Sequence, residues 1–331
     1  MKRNNSKKNT LLFAFLGCAL LIAAVFALLF GGAFLSLAEA LRGLFDMETS
    51  AESVIMQKIR LPRVLGAILA GVGLSVSGVL LQGVTDNALA SPNVIGVNSG
   101  AGFFVILLLA FLPTATMFLP LAAFIGAFLI TLLVIGAAGR FGTSKTTVIL
   151  AGVALTSILN AVISLISLID TDILSAYSYF SVGGLSGITI DQLILPSILI
   201  TISLVCALIL SGRIEALKLG DTVAISLGVR VKPLRTIALI CASASAASVV
   251  SFAGLLGFVG LIVPHIARKL IGGHTRHTLI ASALLGSTLV LLADLLGRTL
   301  LSPTEIPVGI IMALVGAPFF LFLLIKEGHH A

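Results

Sequence analysis

Apolar residues run along this chain in long blocks rather than in alternation, and a short polar or charged stretch closes each block. A helix needs roughly 17–25 apolar residues to cross the hydrocarbon of a bilayer. Ten blocks of about that size can be drawn, at 11–35, 64–85, 93–112, 117–138, 147–169, 192–212, 236–250, 251–267, 278–297 and 306–325. Inside lipid the backbone has no water to bond, so a block of this kind has to be helical. The seventh and eighth blocks run together through Ser251-Phe252-Ala253-Gly254, and fit either one broken helix or two short ones.

Composition turns the block pattern into a class. Of 331 residues 58% are hydrophobic and 10% charged, with a mean hydropathy of +1.20. Soluble domains carry roughly 25% charged residues, and a disordered chain cannot expose this much apolar surface. The expected fold class is an all-α polytopic membrane protein of about ten transmembrane helices, one transmembrane domain over 1–331. The basic stretch Lys2–Lys8 precedes an apolar run too long for the roughly 7–15-residue core of a signal peptide, so the first block reads as a retained span behind a short tail, 1–10.

Charge orients the spans and decides the doubtful pair. With both termini inside, the inner segments carry Lys2, Arg3, Lys7, Lys8, Arg140, Lys145, Arg213, Lys218, Arg230, Lys232, Arg235, Arg268, Lys269, Arg276 and Lys326. The outer segments keep Arg42, Lys58, Arg60, Arg63 and Arg298. Positive charge concentrates on the cytoplasmic side of membrane proteins. Merging blocks seven and eight would move Arg268, Lys269 and Arg276 outside, so two spans are expected and both termini are cytoplasmic. The C-terminal tail is then 326–331.

Candidate chemistry is sparse. Cys18, Cys206 and Cys241 each sit alone in an apolar run, with no pairing pattern for a disulfide or a thiolate metal site. His265 stands without companion ligands, so no metal site and no cofactor is expected, and no catalytic residue. Mid-span acids or bases of the sort that relay ions in secondary transporters are not apparent, and the chain has no G-x-x-x-x-G-K-[ST] phosphate loop. Energy would then enter through a separate ATPase. Its natural handle is the longest inner loop, 211–235, where Gly220 breaks the chain, Asp221 or Thr222 can cap a short helix and Gly228 can end it. Val223, Ala224, Ile225 and Leu227 give that helix an apolar face suited to a groove on a partner, or to resting on its own membrane domain or on headgroups. Gly66, Gly71, Gly73 and Gly78 in the second block, and the Ser/Ala run 242–248 in the seventh, are suited to close helix packing.

From about Gln57 to Leu324 the chain resembles the permease subunits of iron–siderophore and cobalamin ABC importers, the type II importers. The resemblance is carried, in order, by Arg60-Leu61-Pro62-Arg63, Gln82-Gly83, residues 87–92 (Asn-Ala-Leu-Ala-Ser-Pro), Gly96-Val97 with Gly100-Ala101, and Leu150-Ala151-Gly152-Val153-Ala154-Leu155. It continues through Leu219-Gly220-Asp221 with Leu227-Gly228-Val229, the block Gly257–Arg268, Ala293-Asp294 with Arg298, Glu305-Ile306-Pro307-Val308-Gly309, and Gly316-Ala317-Pro318-Phe319-Phe320. Two departures stand out. Ala88 replaces the family's usual proline, and Phe180 stands where a tryptophan is common.

The resemblance implies a type II importer permease fold and a division of roles. Arg60, Arg63 and Arg298 match the outward-facing arginines on which an extracellular or periplasmic binding protein docks. Bottom-up, Arg60 and Arg63 also suit interfacial anchoring, and Arg298 suits an i,i+4 pair with Asp294. Gly220, Asp221, Ala224, Ser226 and Gly228 match the ATPase coupling loop, and Thr143, Ser144, Thr146 and Thr147 lie where the family has a cytoplasmic gate, although their hydroxyls could equally cap a helix. The implied assembly is two permease subunits, identical or not, two cytoplasmic ATPase subunits and the binding protein, in the cytoplasmic membrane and with no nucleic acid. An iron(III)–siderophore complex is the expected cargo. Cobalamin, haem or an ATP-independent carrier are the alternatives.

Overall fold

The structure is a computed structural model that describes residues 2–31, 35–45, 50–141 and 145–328. Its described residues are helical or in turns, with no strand. Helix α1 (Lys2–Leu29) crosses first. On the outer side α2 (Leu37–Phe45) and the short α3 (Ala51–Ser53) lead through a π-helical stretch, Val54–Arg60, into α4 (Leu61–Thr85). Then come α5 (Val97–Phe111), α6 (Leu119–Phe141), α7 (Lys145–Ile169), the short outer α8 (Thr171–Val182), α9 (Ile190–Leu217) and the inner α10 (Asp221–Ser226). The chain closes with α11 (Val231–Ala253), α12 (Val259–Ile271), α13 (Thr275–Thr299) and α14 (Val308–Gly328).

Among the described residues seven helical segments are long and apolar enough to cross a membrane, and Val97–Phe111 and Val308–Phe322 are shorter apolar helices. The tenth crossing is α12, whose 13 residues reach only about 20 Å at 1.5 Å per residue. The doubtful pair therefore divides at Gly254, and the eighth crossing begins later than the hydrophobic pattern places it. A contact remote in sequence supports two crossings. Lys218 Nζ, at the end of α9, donates to Gly273 O beyond the end of α12 at 2.7 Å, so both ends lie on one side. Helices α9 and α11 also reach into the expected 211–235 loop and leave only 218–230 outside them. Helix α1 begins at Lys2 and α14 runs to Gly328, so helix extends into both expected tails.

The core is centred on α4, α11 and α13. In α4 and α11, 78% and 72% of the apolar window is buried, against 17% for α1 and 22% for α7. Water cannot drive helices together inside lipid, so contact has to come from close backbone approach and a few polar ties. Gly71 of α4 sits against the backbone of Gly286 and Ser287 of α13, and Gly78 against the carbonyl of Gly260 in α12. Gly66 does something else, since it faces the side chains of Ile188 and Leu185. Ser245 Oγ donates to Gly73 O at 2.9 Å and Ser287 Oγ to Ile68 O at 3.0 Å. The glycines and the Ser/Ala run thus fasten three central helices to one another.

At the outer end the break between α11 and α12 packs against two other interrupted segments. Gly184 N donates to Ala253 O at 2.9 Å, Leu255 N to Phe180 O at 3.3 Å and Gly309 N to Gly183 O at 3.1 Å. Non-helical backbone at membrane depth is tolerated where protein satisfies it, and here the three segments do so for one another. Gly183 and Gly254 have φ of 72° and 67°, a region that side chains with Cβ rarely adopt. Cys206 and Cys241, which look isolated in the sequence, pack against the same core cluster from α9 and α11, and both are free.

Candidate functional site: an outer charge cluster and an inner handle

Three arginines and two carboxylates meet at the outer ends of α1, α4 and α13. Arg63 Nε donates to Asp294 Oδ1 at 2.8 Å and Oδ2 at 3.1 Å, and Arg63 Nη1 to Glu305 Oε2 at 2.8 Å. Arg298 Nε lies 3.1 Å from Asp294 Oδ2, close enough for an ion pair but without hydrogen-bond alignment. Arg298 Nη2 donates to Ala27 O at 3.1 Å, and Arg60 Nη1 to Leu28 O at 2.5 Å and Leu29 O at 2.9 Å. The last carbonyls of a helix have no partner within it and carry its negative pole. Arg60 and Arg298 supply that partner for α1.

The burial of this cluster revises the sequence picture. Arg60, Arg63 and Arg298 are 3%, 6% and 4% exposed, so in the chain alone they are not displayed as outward-facing docking charges. Each is engaged by a carboxylate or a helix end, because an unpaired guanidinium would be costly there. Asp294 is 1% exposed and lies inside α13. The expectation of spans free of ionisable groups is corrected at this residue. The open member is Glu305, whose side chain is 41% exposed. With Arg63 it borders a cavity of about 550 Å³, also lined by Tyr179, Phe180, Ser186 and Phe252.

At the inner end, α10 sits on a turn framed by Gly220 and Gly228, with φ of 97° and 81°. Neither Asp221 nor Thr222 caps it, since the cap position is Gly220. Asp221 is engaged elsewhere. Its Oδ1 accepts from Arg235 Nη2 at 2.7 Å, and Arg235 Nε donates to Val84 O at 3.2 Å. One guanidinium thus ties α10 to the start of α11 and the end of α4. Ala224 is fully buried, so it faces the protein's own membrane domain and not a partner. Val223, Ile225 and Leu227 are 42%, 62% and 62% exposed, and Ser226 is also exposed.

A second inner tie was not anticipated. Glu215 Oε2 accepts from Thr275 N at 2.7 Å and from Thr275 Oγ1 at 2.5 Å, capping α13 from another helix. Gln82 Nε2 donates to Gly260 O at 3.3 Å, and Arg268 Nη2 donates to Gln82 Oε1. The motifs Gln82-Gly83 and Gly257–Arg268 are therefore two halves of one contact. Thr143 and Ser144 lie outside the described residues, and Thr146 and Thr147 fall in the first turn of α7. Among the described residues no group of three or more His, Cys, Asp or Glu is placed to hold a metal ion.

Among the described residues, a helical bundle with an interrupted outer rim, a charge cluster open at Glu305 and an exposed apolar helix at the inner end is the architecture of a polytopic membrane protein. The chain belongs to the FecCD transport family, whose model matches residues 19–326. It is 36% identical over 329 residues to the Fe(3+)-citrate import system permease protein YfmE of Bacillus subtilis, covering 98% of each chain. It is 39% identical to the achromobactin transport system permease protein CbrC of Dickeya dadantii, over 88% of this chain and 84% of that one. A solved inward-facing structure of a metal-chelate type ABC transporter superposes with a TM-score of 0.84 at 32% identity, covering 96% of this chain and 99% of that chain. The chain thus has the type II importer permease fold and is a multi-pass protein of the cytoplasmic membrane.

Proposed function

We propose that this chain is the permease subunit of an ABC importer for an iron(III)–siderophore complex, and that it forms the translocation path as a dimer. The observation that carries the reading is α10, a cytoplasmic helix with exposed Val223, Ile225 and Leu227, anchored through Asp221 and Arg235 to the end of α4. Such a face suits a groove on an ATPase subunit, and its anchor passes movement of that subunit to a central helix. ATP then favours one arrangement of the permease pair over the other, by as much as it binds the two differentially. The names of the relatives, Fe(3+)-citrate and achromobactin systems among them, support a ferric chelate as cargo.

Asp294 argues against ion coupling. A relay carboxylate must take up and release its ion, whereas this one is held between Arg63 and Arg298. On the outer side a binding protein would approach over Glu305 and the cavity beside Arg63. Docking on Arg63 requires its carboxylate to displace Glu305, while Arg60 and Arg298 shape the rim by holding the end of α1.

The test is uptake into proteoliposomes that contain the permease, its ATPase and its binding protein. Radiolabelled ferric citrate and ferric hydroxamates are compared with cobalamin and haem. ATP-dependent uptake of a ferric chelate is expected. Selective uptake of cobalamin or haem would refute the cargo, and concentration of any of these by the chain alone on a proton or sodium gradient would refute the ATPase-driven mechanism.

A further inference from the structure

At the inner end, away from the outer cluster, an exposed apolar stripe on α9 and an exposed isoleucine on α11 each lead to an arginine. On α9, Ile198, Ile202, Val205 and Ile209 are 50%, 58%, 49% and 73% exposed and recur at helical spacing along one face. The next position on that face is Arg213. On α11 the exposed Ile237 leads back one turn to Pro233 and then to Arg230 at the helix start. These two ends enclose a cavity of about 360 Å³ lined by Leu210, Arg213, Arg230, Pro233, Leu234 and Ile237.

Both arginines are exposed, and among the described residues neither makes a hydrogen bond or ion pair. The carboxylates closest in sequence are engaged elsewhere, Glu215 by Thr275 and Lys218 and Asp221 by Arg235. Leu210 and Leu234, 7% and 4% exposed, give the cavity an apolar floor. Two guanidinium groups without an acid, above an apolar floor and at the end of an exposed apolar face, suit a phosphodiester whose acyl chains would lie along that face. Arginine's flat fork suits such an oxyanion, and basic pockets between helices on the cytoplasmic side are where anionic headgroups bind.

We propose that Arg213 and Arg230 form a binding site for the headgroup of an anionic phospholipid. Gly228, just beyond α10, also lines the cavity, so the site borders the coupling helix. A lipid held there braces the ends of α9 and α11 on either side of the coupling loop.

The test uses the purified full chain, re-equilibrated in nanodiscs of equal dioleoyl phosphatidylglycerol and dioleoyl phosphatidylcholine, with retained lipid read by native mass spectrometry. Wild type should retain phosphatidylglycerol in preference. A basic side chain near an anionic headgroup is worth about 1 kcal/mol, or about fivefold. R213Q or R230Q alone should therefore lose about fivefold of that preference, and R213Q/R230Q about twenty-five-fold. K232Q, which removes a neighbouring charge outside the cavity, should leave it unchanged. If the double variant does not accumulate, the single variants decide.

An unchanged preference in R213Q and R230Q overturns the site. So does equal loss in K232Q, which would mark a diffuse surface effect. Displacement of the lipid by excess inorganic phosphate would make this a free-anion site. Loss of ATPase co-purification with lipid retention intact would assign both arginines to the protein partner.

Discussion

Replacing Asp294 by asparagine keeps the shape of the side chain and removes its charge from the most enclosed part of the outer cluster. The wild-type cluster sets Arg60, Arg63 and Arg298 against Asp294 and Glu305. In Asp294→Asn three cations face Glu305 alone, and Glu305 is 41% exposed. Asp294 contacts Arg63 at 2.8 Å and Arg298 at 3.1 Å. At the effective dielectric near a protein surface each such attraction is worth about 4 kcal/mol. The substitution forfeits roughly 8 kcal/mol of attraction and regains the several kcal/mol that burying the carboxylate costs. A net loss of about 3–5 kcal/mol results, in line with what breaking a buried ion pair from one side costs. Glu305→Gln removes a half-open partner and should cost about 1 kcal/mol or less. Reversible unfolding by SDS titration in mixed micelles measures both. Adding Arg298→Met to Asp294→Asn should cost less than the separate effects together, because it removes a cation left without its acid. Asp294→Asn within about 1 kcal/mol of wild type, or a fully additive double variant, would refute the view of these groups as one coupled unit centred on Asp294.

Four other outcomes follow from named contacts. Gly71→Ala should destabilise strongly in the same titration, because its new Cβ meets the backbone of Gly286 and Ser287, whereas Gly212→Ala, in open space on α9, should be neutral or gain up to about 1 kcal/mol of helix propensity. Cysteines at Val223 and Ile225 should crosslink to the ATPase subunit and one at Ala224 should not, since only Ala224 is buried; capture at Ala224 alone would reverse the assignment of the faces. Arg235→Met should leave ATP hydrolysis by the partner running while uptake per ATP falls about tenfold, the effect of losing a charged tie worth about 1.5 kcal/mol. Glu305→Gln should tighten binding-protein association several-fold in a pull-down titration, because Arg63 no longer has to be released; weaker association would remove the proposed displacement step.

Much of the fold can be read from the apolar blocks because a bilayer imposes a length and forbids open backbone. The blocks and the bias of basic residues fix the number of spans, their orientation and the need for two crossings between 236 and 267, whereas the division at Gly254 came from the structure. What they miss is of another kind. Helix α8 carries Asp170, Thr171 and Asp172 at its start and stays too short for a spanning pattern, although Asp170 accepts from Asp172 N and Ile173 N at its cap. The short reach of α12 is hidden because Ser251–Ala253 continue α11 while looking like the start of the next block.

The candidate sites divide in the same way. Sequence by itself determined a membrane-spanning all-helical chain, its topology, the glycines where helices touch, and the motifs that mark the family. Only the tertiary structure decided what the motif residues do. Arg63 and Asp294 lie on different helices far apart along the chain, and nothing in either segment says that they meet. The same holds for Arg235 with Val84 and for Glu215 with Thr275. The physical reason is that spacing along one helix fixes which residues share a face, whereas the partner of a buried charge is set by which helices pack and at what height. That is why the Arg298–Asp294 pair, one turn apart on a single helix, could be read from the sequence and is present, whereas Arg60 and Arg63 look like surface charges there and are buried, engaged groups in the fold.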